Sequence, residues 1–93
     1  MMNFYYVYIL ISLKDKKSYI GYTTNLKKRI YYHNKGFNKS TKNRRPFKII
    51  YSEAYINERD ARKREKFFKT GHGREEIKKI LKHTLQNIDA GIV

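Results

Sequence analysis

The sequence predicts a small mixed α/β domain, and three observations lead there. Two short runs rich in tyrosine and β-branched residues, 4–11 and Ser18–Thr23, flank a charged turn, Lys14-Asp15-Lys16-Lys17. A capped helical pattern follows the second run at once. A third β-rich run, Phe47–Tyr55, begins behind Pro46, and two further helical patterns come after it.

Each element has its own signal. In residues 4–11 alternation places Phe4, Tyr6, Tyr8 and Leu10 on one face and Tyr5, Val7, Ile9 and Ile11 on the other. Neither face is polar, which predicts a central strand covered on both sides. Gly21, inside the second strand, marks a bulge or a close backbone approach. Thr24-Asn25 supplies an N-cap for a helix over 26–34, and Gly36 suits its C′ position. Leu26, Ile30 and His33 form one stripe of that helix, with Arg29 facing His33 at i+4. Residues 37–45 read as a loop carrying Lys39, Lys42, Arg44 and Arg45. In the third strand, Ile49, Tyr51 and Glu53 share one face and Ile50, Ser52 and Ala54 the other. Asn57 caps a helix over 58–69, which Thr70-Gly71-His72-Gly73 breaks. A third helix over 74–83 has Ile77, Ile80 and Leu81 as its apolar stripe, and a tail from Thr84 frays. Residues 1–85 are expected to form a single domain, with a C-terminal tail over 86–93.

The charge points to a partner. Twenty-two Lys and Arg stand against eight Asp and Glu, a formal net charge of +14. Such an excess repels itself in a compact chain unless a polyanion relieves it. Nucleic acid is the leading partner, ahead of an anionic membrane surface. With no cysteine, neither disulfides nor a thiolate metal site is available, in keeping with a reducing cytoplasm, the expected location. No apolar run approaches the roughly 20 residues of a membrane span. Met1-Met2-Asn3-Phe4 has no basic n-region, so no signal peptide is expected.

Several side chains could carry chemistry. Glu65 lies between Ala61 and Phe68 at i+4 and i+7, so a lone carboxylate faces the core side of a cationic helix. It is either a partner for a nearby arginine or a ligand for a hard cation such as Mg²⁺. Nine tyrosines are mostly packing, but Tyr8 and Tyr19 fall on paired strands beside Gly21. A phenol serves as a base only where cations or a metal stabilise the phenolate. His33 suits a proton relay or a phosphate contact; His72 and His83 are expected in solvent, and no histidine spacing matches a zinc site. Tyr31, Tyr32, Phe37 and Phe47, interleaved with cations, could stack on exposed bases. No helix-turn-helix or zinc finger is present for base readout, so sequence specificity is expected to be low, or supplied by a protein partner.

In order and at fitting gaps, Tyr6-Val7-Tyr8, Tyr19-Ile20-Gly21, Arg29, His33 and Glu65 resemble the GIY-YIG nuclease superfamily. So do Tyr22-Thr23-Thr24-Asn25-Leu26, His33-Asn34-Lys35-Gly36, Thr41, Arg44-Arg45-Pro46 and Ala61 to Lys69. The match is to the small stand-alone, single-domain group, which is similar to the N-terminal nuclease domain of the bacterial excinuclease. Tyr6 replaces the family's first glycine, and Tyr22 stands where some members have a lysine. The resemblance implies a three-stranded antiparallel sheet flanked by about three helices. It implies hydrolysis of DNA phosphodiesters with one divalent ion, Mg²⁺ or Mn²⁺, on branched, damaged or single-stranded DNA. Glu65 would hold the metal, Arg29 would bind the scissile phosphate, and Tyr8 and Tyr19 would position or deprotonate the attacking water with His33 assisting. Lys39, Lys42, Arg44, Arg45 and Lys69 are expected to contact the nucleic acid. The alternative is a binding module of the same fold with little or no catalysis.

Overall fold

The computed structural model describes residues 3–88. Strands β1 (Tyr5–Ser12), β2 (Ser18–Thr23) and β3 (Phe47–Tyr55) form an antiparallel sheet in the order β2-β1-β3. Helices α1 (Leu26–Lys35), α2 (Glu58–Phe68), α3 (Gly71–Ile80) and α4 (Lys82–Ile88) cover its faces.

β1 is central because both of its faces are apolar. Val7 and Ile9 pack with Ile20, Ala61, Phe68, Ile77 and Leu81 against α2 and α3. Tyr8 and Leu10 pack with Phe47 on the opposite side, where Leu26 and Ile30 of α1 close over them. The β1–β2 turn is tied by Ser12, whose hydroxyl accepts from the amides of Lys14 and Asp15 and donates to the Arg44 carbonyl at 2.6 Å. The Asn25 side chain caps α1 by accepting from the Lys28 amide, and Gly36 ends it in the left-handed region at φ 80°.

Three features differ from expectation. In β3, Ile9 pairs with Tyr51 and Leu10 with Ile49, so a bulge falls at Ile50. Strict alternation therefore fails: Ile50 and Tyr51 pack on the same cluster, while Ile49 packs on the other. The expected break over 70–73 narrows to Thr70, whose side chain accepts from the Gly73 amide and so starts α3 at Gly71. That helix stops at Ile80, which is exposed, short of the expected 83; Leu81 leaves helical geometry, and Lys82–Ile88 form a separate helix that takes in 84–88 of the expected tail. Leu85 packs on the core from α4. Residues 89–93, the rest of the expected tail, lie outside the described residues. Among the described residues no helix is long and apolar enough to cross a membrane.

Candidate active site

The site is built at the β2 edge, where the two sides of the sheet meet. Tyr8 pairs with Gly21 across β1 and β2. A Cβ on Gly21 would run into the Tyr8 hydroxyl and ring, with Cε1 at 2.8 Å, so the missing side chain lets the phenol lie across β2. Tyr8 is buried, and its hydroxyl is 2.9 Å from His33 Nε2. The half-buried Tyr19 ring stands edge-on to His33, centroids 4.9 Å apart, and 6.4 Å from the Tyr8 ring.

His33 is fully buried, and its other nitrogen, Nδ1, is 2.8 Å from Thr41 Oγ1. The far end of this chain sets its direction. A carbonyl only accepts, so the Thr41 hydroxyl donates to the Asn38 oxygen at 3.4 Å and accepts from His33 Nδ1–H. Nε2 is then the acceptor of the Tyr8 proton. Burial, and then the Arg29 cation, push the His33 pKa down, which keeps the imidazole neutral as this arrangement needs. With both nitrogens hydrogen-bonded and no exposure, His33 is closed to direct contact with a phosphate.

Arg29 is half-buried on α1, and its charge reaches both Tyr8 and His33. Among the described residues no ion pair involves it. It lines an open polar pocket with Thr23, Thr24, Asn25, Lys28 and Tyr32. Glu65 comes from α2 on the other side of the sheet, with a side chain 18% exposed and 3.1 Å from Lys69 Nζ. Its charge also reaches Tyr8. Burial dominates Tyr8 and drives its pKa far up; Tyr19 and Glu65 add to this and Arg29 opposes it. The Tyr8 phenol therefore stays protonated at neutral pH. Among the described residues no three His, Cys, Asp or Glu gather as a metal site, so Glu65 is a lone carboxylate here.

The remaining expected contacts divide. Lys39, Lys42, Arg45 and Lys69 are exposed. Arg44 is not available in the same way. Its guanidinium forks onto Asp15 at 2.7 and 3.3 Å and donates to the carbonyls of Lys17 and Ser18. It braces the basic loop against the hairpin, and its hydrogen bonds hold the Asp15 carboxyl well below the usual range. Of the aromatics expected to stack on bases, Tyr31 and Phe37 are exposed, whereas Phe47 belongs to the core. Tyr22 donates to Glu58 at 2.8 Å under the Arg62 guanidinium, on the strand face away from Tyr19. Spacing alone does not single out Thr41, because it sits in a loop and meets His33 only through the fold.

Tyr19, Arg29 and Glu65 thus all lie within electrostatic reach of the buried Tyr8 phenol, in a strongly cationic domain. The model of the GIY-YIG catalytic domain matches residues 4–79, and the chain belongs to this family. It is 48% identical over 65 residues to a UPF0213 protein of Clostridium perfringens, covering 69% of each chain. A UPF0213 protein of Staphylococcus haemolyticus is 42% identical over 82% of this chain and 93% of its own. The UPF0213 protein YsiG of Lactococcus lactis is 41% identical over 90% of this chain and 81% of its own. No solved structure matches.

Proposed function

We propose that this protein is a divalent-metal-dependent DNA endonuclease with low sequence specificity, acting on branched, damaged or single-stranded DNA. The observation that carries this is that the charges of Arg29 and Glu65, on helices from opposite sides of the sheet, both reach the buried Tyr8 phenol in a chain of the GIY-YIG family.

The donor set fits a hard cation. One partly buried carboxylate, with water completing the shell, suits Mg²⁺ and would accept Mn²⁺. Glu65 would hold the ion, which when bound supplies Lewis-acid stabilisation of the leaving oxygen. Lys69, half exposed, would give up Glu65 and turn to the DNA backbone. Arg29 binds a non-bridging oxygen of the scissile phosphate, and its fixed charge meets the charge that develops there. Tyr19 would position the attacking water and, as a phenolate stabilised by neighbouring cations, would take its proton. Tyr8, held protonated, donates to His33 and fixes the ring against which Tyr19 stands. Lys39, Lys42 and Arg45 contact backbone phosphates, while Tyr31 and Phe37 stack on unpaired bases.

The Lys69–Glu65 pair favours a second reading, in which Glu65 remains neutralised and the protein binds DNA without cutting it. One assay separates the two. Plasmid and branched DNA are incubated with the protein and Mg²⁺, Mn²⁺ or a chelator, beside Glu65→Ala and Arg29→Ala. Metal-dependent cleavage lost in both variants supports the nuclease; cleavage that survives both changes sinks it.

A further inference from the structure

A second cluster lies along β2 beside Tyr19, and two of its polar members, Ser18 and Arg74, have no part in the chemistry above. Ser18, Tyr19, Ile20, Lys69 and Arg74 line an open pocket of about 230 Å³. Ser18 Oγ and Arg74 Nε are both buried, and neither has a hydrogen-bond partner among the described residues. Buried polar atoms are nearly always paired, and two orphaned donors on residues that line one pocket point to a ligand that reaches both as the side chains close around it. The Arg74 Nε–H can only donate, and a serine hydroxyl can donate as well. Lys69 adds a second cation, and no carboxylate lines the pocket. The ligand must then be an anion rich in acceptor oxygens, for which guanidinium, ammonium and hydroxyl donors suit a phosphate. Lys69 also ties the pocket to the candidate active site, since the same ammonium lies 3.1 Å from Glu65.

We propose that the Ser18–Lys69–Arg74 pocket binds a backbone phosphate of nucleic acid beside the one that is cut. The proposal deepens the nuclease reading and rests on it for the identity of the ligand. It makes Arg74, which carries no expectation in the sequence, a determinant of how the strand is laid along β2.

The test is a metal-free binding experiment on the full chain. ¹⁵N-labelled protein is titrated with inorganic phosphate and, separately, with a short single-stranded oligonucleotide. The Arg74 Nε–Hε and Ser18 amide resonances should shift saturably in both titrations. Arg74→Gln should abolish the Ser18 shift, weaken oligonucleotide binding roughly tenfold and lower the salt slope by about 0.7, the share of one phosphate on a single strand. Arg74→Lys, which keeps the charge, should retain part of the affinity. Unchanged affinity and salt slope in Arg74→Gln overturn the proposal. So do shifts confined to Lys39, Lys42 and Arg45, or a response to inorganic phosphate but not to the oligonucleotide. Neither readout needs cleavage. A protein that binds through Arg74 and never cuts keeps this site and loses the nuclease reading. One that cuts while Arg74→Gln binds normally does the reverse.

Discussion

Gly21→Ala should unseat Tyr8, and with it His33. The added methyl would occupy the space of the Tyr8 hydroxyl and ring, and Tyr8, 1% exposed, has no room to retreat without opening the core. Overpacking of this kind costs about 1–3 kcal/mol. Shifting the hydroxyl also breaks its 2.9 Å contact with His33 and leaves a buried acceptor without a partner. That loss adds about 1–3 kcal/mol. The sum, about 2–6 kcal/mol, is a large fraction of the 5–15 kcal/mol typical of a domain. The sign is informative, because Gly→Ala at an unstrained site usually stabilises by about 0.4–1 kcal/mol. Urea unfolding followed by circular dichroism should show a lower midpoint at unchanged slope. In a Tyr8→Leu background, where the hydroxyl is gone and the side chain is shorter, the same change should cost less than about 1 kcal/mol, a direct measure of coupling. A single variant within about 0.5 kcal/mol of the parent would refute the packing argument.

Other expectations concern the groups around that phenol. The His33 pKa is lower in the fold than its ordinary 6.5, so the unfolded chain binds the extra proton and stability falls as pH drops below about 6.5. Thermal melts between about pH 5 and 8 should show this slope flattened in His33→Gln, and an unaltered slope would contradict it. Thr41→Val removes the acceptor for His33 Nδ1–H and should cost about 1–3 kcal/mol in urea unfolding, with Thr41→Ser restoring most of it. Equal stability of the valine and serine variants would refute a hydrogen-bonding role. Arg44→Ala should lower stability by about 1 kcal/mol, as the Asp15 pair and two carbonyl contacts are lost. If Arg44 instead contacted only DNA, its removal would change salt-dependent binding and leave the melting temperature alone.

Much of the fold was legible because local signals agreed with tertiary packing. The two apolar faces of Tyr5–Ser12 foretell a central strand, and Asn25, Gly36 and Asn57 mark helix ends that the structure keeps. Gly21 in an otherwise β-rich run signals a close approach, and the neighbour is the Tyr8 ring. The bulge at Ile50 was not legible, because it depends on how β3 meets β1 and not on its own pattern. Nor was the split at Leu81, where apolar residues at 77, 80 and 81 read as one continuous stripe although Ile80 faces outward. In the site, helical register places Arg29, His33 and Glu65 because each lies on a stripe beside apolar neighbours. Thr41, Ser18 and Arg74 lie on a loop, a strand edge and a helix start, where no periodicity marks which side chain turns inward. Arg44 has a structural part that its sequence position does not reveal. A cation in a basic loop looks like a ligand contact, and only the distance to Asp15 reveals a brace.

Single-turnover cleavage of branched DNA in Mg²⁺, comparing the parent with Glu65→Gln, tests the central claim most directly. Glutamine keeps the size and position of the side chain but removes the charge that would hold the cation. The predicted result is a rate at least about 100-fold lower in the variant, with DNA affinity in chelator unchanged. Cleavage by Glu65→Gln at the parental rate would contradict the assignment of this sheet edge as a metal-dependent nuclease site.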